Sequence, residues 1–497
     1  MKLRFTVCLL FLFLLSSCTS GITPTGLPVS PSTSTPLPTD TVQPSPPPAT
    51  ETVAPTVTET SIPATLDETV AFYRLRIKYT TSSDWTTLEL LNPDHILAVR
   101  QMNSLWAPAQ ATVDIDSLSL NQPLDAASAS NRIGITVDYA LEPEALDQPL
   151  NFLLQKGALN GSTVHIYNVI NEVESLLLEV DHNIEVAGNT DTNPLSFSLD
   201  LSRLREVPPV ETASGRAEVD KMVWAFYYPW YTMDDWNSNQ LVDRPAVRSA
   251  SSDPQTIARH IEQAQAAGID GFITSWWGPG TETDQNLVTL LDLAAERNFR
   301  VAIYFETLDD GTGRSETDIF AWLAYAINAY GEHPAYMRVG DQPLIVLWAT
   351  AAVEPVHWVI VTNALYLQEM NVVLIGMGYN ATNLELFDGY HDYGVFTYPD
   401  LTQTDAQAAR LARYYPLLMD ELEPKIFAAT VQPGYDDHLL PDRGGGQVQD
   451  RLEGAYYRST FDAALASDPD WIFITSWNEW WETTQIEPSE TYGDLYL

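Results

Sequence analysis

Two regimes of hydrophobic patterning divide the chain. Between residues 66 and 207, apolar and polar residues alternate with period two in VAFYRLRIKYT, ATVDIDSLSL, RIGITVDYAL, STVHIYNVI, VESLLLEVDH and LSFSLDLSRL. Turn-rich pieces such as NPDH and AGNTDTNP separate these stretches. Alternation puts one face of each strand on a core and the other in water, so this spacing predicts an all-β, sandwich-like domain. A polar hinge follows at 208–221 (PPVETASGRAEVDK). From Met222 the pattern changes to uniformly apolar runs, which suit strands buried on both faces. They are MVWAFYYPWY, GIDGFITSWW, FRVAIYFET, QPLIVLWAT, NVVLIGMGYN, GYHDYGVFTY, KIFAATVQPGY and WIFITSWNEW. Helical stretches such as DPQTIARHIEQAQAAG, TDQNLVTLLDLAAERN and AQAARLARYYPLLMDELE lie between them. In the first of these Asp253 is a candidate N-cap, Pro254 takes the first helical position and Gly268 closes the helix. Eight strands alternating with helices predict a (β/α)8 TIM barrel, an α/β fold, over 222–497. Only fifteen residues follow Glu482, so this reading includes a barrel cut short in its last helix.

The N-terminus changes the picture from a free enzyme-sized chain to a tethered one. Lys2 and Arg4 precede an apolar run, Phe5 to Leu15, that is too short to cross a bilayer as a helix and closes with LLSSC. With Cys18 this resembles a bacterial lipoprotein signal peptide over 1–18, in which cleavage leaves Cys18 as the lipid-carrying N-terminus. An ordinary secretory signal with an incidental cysteine is the plainer alternative. Cys8 and Cys18 are the only cysteines, so the mature chain would hold one thiol and no disulfide, which favours the lipid. Residues 19–65 are nearly all Pro, Ser, Thr, Ala, Val and Gly; they lack the bulk to form a core and predict a disordered linker. The expectation is an exported protein, lipid-anchored at the cell envelope or surface, whose membrane contact runs through that anchor alone. The β-domain shows no catalytic grouping; passive spacer and sugar-binding module both fit it, and exposed aromatics such as Trp85 or Trp106 on one face would mark the latter. A net charge of −41 repels phosphate backbones and argues against nucleic acid as a partner.

The barrel prediction directs attention to the C-terminal ends of its strands. The first delivers Tyr227, Tyr228, Trp230 and Tyr231, the second Trp276 and Trp277 before a Gly-Pro-Gly loop, and the third Glu306. The fifth ends in Tyr379 and Asn380, and the sixth passes His391 and Asp392 towards Tyr398. The seventh gives Gln432, Tyr435, Asp436 and Asp437, and the eighth Asn478, Glu479 and Glu482 among Trp477, Trp480, Trp481 and Glu487. Singly, such aromatics often cap a barrel core and such acids cap the next helix. Together they predict a concave, ring-lined, acidic pocket suited to neutral polyhydroxylated rings. Glycosidic cleavage requires an acid for the leaving oxygen and a second carboxylate at the sugar. Glu479 and Glu482 stand three residues apart, so their Cα atoms lie within about 10 Å and their side chains can straddle one sugar. Clustered acids also suit a metal, but the His partners common in catalytic zinc sites are absent nearby. No metal or cofactor is expected.

The segment TSWNEWWETTQIEP resembles the NEWxEGTQIE signature of glycoside hydrolase family 99, the endo-α-mannosidase and endo-α-mannanase family. FYYPWY resembles that family's first-strand motif and SWWGPG its second-strand loop, while Glu306 stands where the family carries a third-strand glutamate. VQPGYDD, followed by Arg443 and RLEGAYY, resembles the approach to its eighth strand. The resemblance implies a retaining, endo-acting hydrolase in which Glu479 removes the proton from a mannose 2-hydroxyl that then attacks C1. Glu482 protonates the departing oxygen and later activates the water that opens the resulting 1,2-anhydro sugar. Pocket and resemblance together assign Tyr227, Tyr228, Trp230, Trp276, Trp277, Glu306, Tyr435, Arg443, Asn478, Trp480 and Trp481 to a glycan substrate. The indole-rich surroundings are expected to raise the pKa of Glu482 and keep it protonated near neutrality. The chain departs from the family pattern at Trp481, which replaces a histidine, at Thr483, which replaces a glycine, in YFETL where EPY is usual, and in WWGPG, which lacks a tyrosine. These positions surround the subsites next to the cleaved bond and leave the glutamate pair intact. A hydrolase of this family type acting on another sugar, and a non-catalytic glycan-binding surface lipoprotein, are the competing readings.

Overall fold

The computed structural model describes residues 62–102, 110–121, 133–157, 161–182, 194–309, 311–441 and 443–497. The signal segment, Cys18, nearly all of the linker and Trp106 lie outside the described residues. The C-terminal region is a closed barrel of eight parallel strands: β1 (Met222–Tyr227), β2 (Gly271–Trp276), β3 (Arg300–Glu306), β4 (Gln342–Trp348), β5 (Val373–Met377), β6 (Gly389–His391), β7 (Ile426–Val431) and β8 (Trp471–Ile474). Trp471 of β8 pairs with Met222 on one side and Ala428 on the other, which closes the ring. Seven helices pack outside it: α1 (Pro254–Ala266), α2 (Glu282–Arg297), α3 (Glu316–Tyr330), α4 (Pro355–Leu367), α5 (Ala381–Leu386), α6 (Leu401–Tyr414) and α7 (Ala455–Ala466).

The start and stop of α1 are as its sequence dictates. Asp253 accepts from the Gln255 N–H at 2.9 Å, Pro254 contributes no N–H that would need a partner, and Gly268 takes a φ of +81° just past the end. No helix follows β8 among the described residues. Residues 477–497 instead fold back as turns, and a cavity of about 310 Å³ lined by Val223, Ile269, Tyr457, Phe461, Ile486 and Tyr496 lies between α1 and α7. Barrel strands alternate between two cores. Trp224, Phe226, Ile273, Tyr304, Val346, Ile375 and Phe473 fill the interior, whereas Tyr227, Phe272, Trp276, Ile303 and Leu347 pack outward under the helices.

The N-terminal region holds two antiparallel sheets. One orders the strands 96–101, 133–141, 64–81, 162–170 and 173–182; the other orders 195–199, 150–156, 85–90, 117–121 and 110–113. The residues read as a hinge contain a strand, Val210–Ala217, which pairs antiparallel with Ala64–Phe72. Its small residues (Thr212, Ala213, Ser214, Gly215) give almost no apolar signal, which is why the sequence concealed it. ATVDIDSLSL is two strands joined by a turn at Asp114–Asp116 rather than one, and LSFSLDLSRL leaves its strand at Leu199 for a short 3-10 turn, Ser202–Glu206. The sandwich is bonded to the outside of the barrel. Arg100 donates to the Leu418 carbonyl at 2.9 Å and to Glu385 at 3.2 Å, and Thr382 donates to the Gln101 side-chain oxygen at 2.9 Å. Arg410 on α6 reaches the Asp94 carbonyl at 2.7 Å, and Arg413 pairs with Asp67 at 3.2 Å.

Candidate active site

The exit of β8 turns sharply and presents two carboxyl groups at the mouth. Glu479 and Glu482 are each only 5% exposed. Glu479 Oε1 accepts from the Tyr231 hydroxyl at 2.8 Å and from the Trp481 N–H at 3.0 Å. Glu482 has a different set: Arg443 Nη2 lies 3.3 Å from its Oε1 and the Tyr393 hydroxyl 3.4 Å from its Oε2. Asn478 ties β8 to β1, accepting the Tyr228 N–H at 2.7 Å and donating to the Tyr228 carbonyl at 3.0 Å. The Tyr228 hydroxyl in turn donates to that of Tyr393 at 2.7 Å, so Tyr228, Tyr393 and Glu482 form one chain.

Burial dominates the electrostatics. It raises both carboxyl pKa values, and the charge of Glu482 adds to the rise at Glu479, while Tyr231, the Trp481 main-chain N–H and the charge of Arg443 oppose it. At Glu482 burial is opposed chiefly by Arg443; the Trp480 indole N–H is bonded to Glu487 at 3.2 Å. The expected rise at Glu482 therefore comes from burial and is shared with its neighbour. A third carboxyl, Glu306, is pushed up to about 8, first by burial, while the Ser275 hydroxyl at 2.5 Å and Arg314 pull the other way and the charge of Glu482 adds to the rise. Arg443 also contacts Asp437 Oδ2 at 3.2 Å and the Tyr435 hydroxyl at 3.3 Å.

The structure brings Tyr228, Glu306, Tyr435, Arg443 and Asn478 around the two glutamates. Trp230 and Trp481 are half-buried beside them, with ring centroids 4.7 Å from Tyr228 and 6.3 Å from Tyr231 respectively. Trp277 is half-buried at the start of the β2 loop, its main-chain N–H donating to the Thr283 hydroxyl at 2.9 Å. Three expected residues point elsewhere. Tyr227 faces outward, stacked on Phe272 at 4.6 Å with its hydroxyl 3.2 Å from His260 Nδ1. Trp276 faces outward too, its indole donating to Asp284 at 2.7 Å. Trp480 is buried behind the loop against Trp236, at 6.0 Å. Glu487 belongs to that rear support, since His260 Nε2 lies 2.9 Å from its other oxygen. His391 sits inside the barrel on main-chain oxygens of Leu347 and Asp392. Tyr231 and Tyr393 hold the two glutamates; Tyr231 was placed at the rim but given no role, and Tyr393, two residues past His391, was not singled out.

A closed (β/α)8 barrel that delivers two buried carboxyls into an aromatic mouth defines a glycoside hydrolase. The chain belongs to Glycosyl hydrolase family 99, whose profile matches residues 233–492. It is similar to the glycoprotein endo-alpha-1,2-mannosidase of Rattus norvegicus, with 25% identity over 405 aligned residues covering 68% of this chain and 82% of that protein. The glycoprotein endo-alpha-1,2-mannosidase-like protein of Homo sapiens is 26% identical over 275 residues, covering 50% of this chain and 58% of that protein. Among solved structures, a GH99 endo-alpha-mannosidase from Bacteroides thetaiotaomicron is 27% identical with a TM-score of 0.48, covering 55% of this chain and 88% of that one.

Proposed function

We propose that this protein is a retaining, endo-acting α-mannosidase that cleaves mannan-like polysaccharide with Glu479 and Glu482 acting on a single sugar. The observation that carries the reading is the pair itself: two buried carboxyls at one strand exit, each with its own donors. A substrate 2-hydroxyl donating to Glu479 supplies a third donor there, favouring its ionised form and leaving the shared proton on Glu482. Glu479 then takes the 2-hydroxyl proton, O2 bonds to C1, the bond from C1 to the bridging oxygen breaks, and Glu482 gives that oxygen its proton. In the second half Glu482 takes a proton from water, the water oxygen bonds to C1, the C1–O2 bond breaks, and Glu479 returns its proton to O2. Two inversions at C1 give net retention.

The test is to incubate the full chain with a panel of polysaccharides, size the products, and read their anomeric configuration by NMR before mutarotation. Internal cleavage of an α-mannan with retention is expected; equal rates on 2-deoxy and 2-hydroxy substrates would overturn the role of O2. The second reading, hydrolysis of a non-mannose polymer, is favoured by Trp481 and Thr483 at positions where the family pattern differs, and the same panel selects it. Export and lipid anchoring through Cys18 complete the proposal, supported by the Lys2–Cys18 segment; radiolabelled fatty acid incorporated into the wild type and lost in Cys18→Ala checks it.

A further inference from the structure

The turn that carries Glu482 is strained, and one buried arginine stands directly behind it. Thr483 has a φ of +54°, in the left-handed region that β-branched residues seldom adopt. Three ties hold this conformation. The Asp436 N–H donates to the Glu482 carbonyl at 2.8 Å, and Thr483 Oγ1 donates to the Asp436 carbonyl at 2.7 Å. The third is Arg451, whose Nη2 donates to the carbonyls of both Thr483 and Gln485 at 2.8 Å. Arg451 is 5% exposed, and its guanidinium lies 4.8 Å from the Tyr492 ring and 4.6 Å from the Tyr496 ring. It forms no ion pair among the described residues: the charge of Asp243 acts on it without contact, and what it touches is two carbonyls and two tyrosine rings. Burying a cation without a counter-ion is costly, and a guanidinium that only filled space would be better replaced by an apolar side chain.

We propose that Arg451 is a positioning residue that locks the left-handed turn at Thr483 and so aims Glu482 at the scissile oxygen. The clamp is completed by Tyr492 and Tyr496, which makes the C-terminal segment part of the active-site support. It acts through Glu482 and therefore rests on the hydrolase reading for its catalytic consequence, whereas its structural consequence stands separately. If the strain at Thr483 is what Arg451 opposes, a residue without that strain needs Arg451 less. Arg451→Met is expected to lower kcat by about 100-fold with KM changed less than about threefold, as for a catalytic group displaced by about 1 Å. Thr483→Gly in the same chain is expected to restore about tenfold or more, because glycine adopts positive φ without a side-chain clash.

Amide exchange supplies a readout independent of turnover. The N–H groups of Thr484, Ile486 and Glu487 bond to Glu479, Ser476 and Trp477, and they should exchange about ten times faster in Arg451→Met and regain protection in the double variant. Unchanged exchange in Arg451→Met, or no recovery on adding Thr483→Gly, overturns the proposal. Should Arg451→Met fail to fold, Arg451→Lys, which keeps the charge and loses the planar fork, carries the same comparison. A wild type inactive on every polysaccharide overturns the hydrolase reading, and the exchange experiment still decides the role of Arg451.

Discussion

At the scale of single residues, what separates the two glutamates is the set of groups that donate to them. In the proposed mechanism Glu482→Gln removes the transferable proton and is expected to lower kcat on natural glycans by about a thousandfold, with much smaller losses on aryl glycosides whose leaving groups need no protonation. Parallel losses on both substrates, measured by steady-state kinetics, would contradict its role as the acid. Tyr231 does two things at once, donating to Glu479 and accepting the Trp480 main-chain N–H at 2.8 Å. Tyr231→Phe removes a donor that favours the ionised form of Glu479, so the acid limb of the kcat/KM profile should move to higher pH and kcat should fall about tenfold or more. The residue scale is also where sequence reading failed. It took consecutive aromatics at the ends of β1 and β2 as one rim, yet period two turns Tyr227 and Trp276 outward while Phe226 and Tyr228 face in. The burial of Glu479 and Glu482 at one strand exit was legible because charge has few other uses beside buried indoles; the hydroxyl contacts of Tyr231 and Tyr393 were not, because a tyrosine in an apolar run carries no mark of what its hydroxyl meets.

Individual elements were easier to read than individual side chains. All eight barrel strands fall within the apolar runs, since a strand buried on both faces has no polar residues to blur it. The strands missed in the sandwich (Trp85–Leu90, Ile96–Gln101, Leu150–Lys156 and Val210–Ala217) are short or interrupted by small and polar residues. The β2–α2 connection shows what a sequence pattern omits. Asp284 in the first turn of α2 accepts from the Trp276 indole at 2.7 Å, the Tyr330 hydroxyl at 2.6 Å and the Gly280 N–H at 2.8 Å. Asp284→Ala leaves three donors without their acceptor and should cost about 2–4 kcal/mol in urea unfolding. The isolated N-cap change Asp253→Ala should cost only about 1 kcal/mol in the same assay.

For the whole molecule, a buried acid near the seam between sandwich and barrel contributes to the response to pH. Asp405 on α6 is fully buried, and neither carboxyl oxygen has a hydrogen-bond partner among the described residues. Burial first, and then the charge of Asp392, push its pKa up to about 7. Its folded pKa lies above the unfolded one, so the folded state binds the extra proton. The stabilisation is complete below about pH 4 and is lost as pH rises towards 7. Asp405→Asn should therefore stabilise the protein by about 2 kcal/mol at pH 8 and by little at pH 4; thermal melts at the two values decide it, and an equal effect at both would show that the proton is not responsible.

The place where the chain enters the fold has a mechanical consequence. Ile62 packs with Ala217 and Val339 at the base of the barrel, the Glu218 N–H donates to the Pro63 carbonyl at 2.8 Å, and Ala64 pairs with Ala217. The sandwich is thus a loop of chain that leaves and returns at one point, beside the first residue of β1. A pull applied to Ile62 is expected to load this junction of sandwich and barrel before any other part of either. The two glutamates follow the last residue of β8, at the opposite pole, so whatever lies upstream of Ile62 joins the barrel at the end away from the two carboxyls.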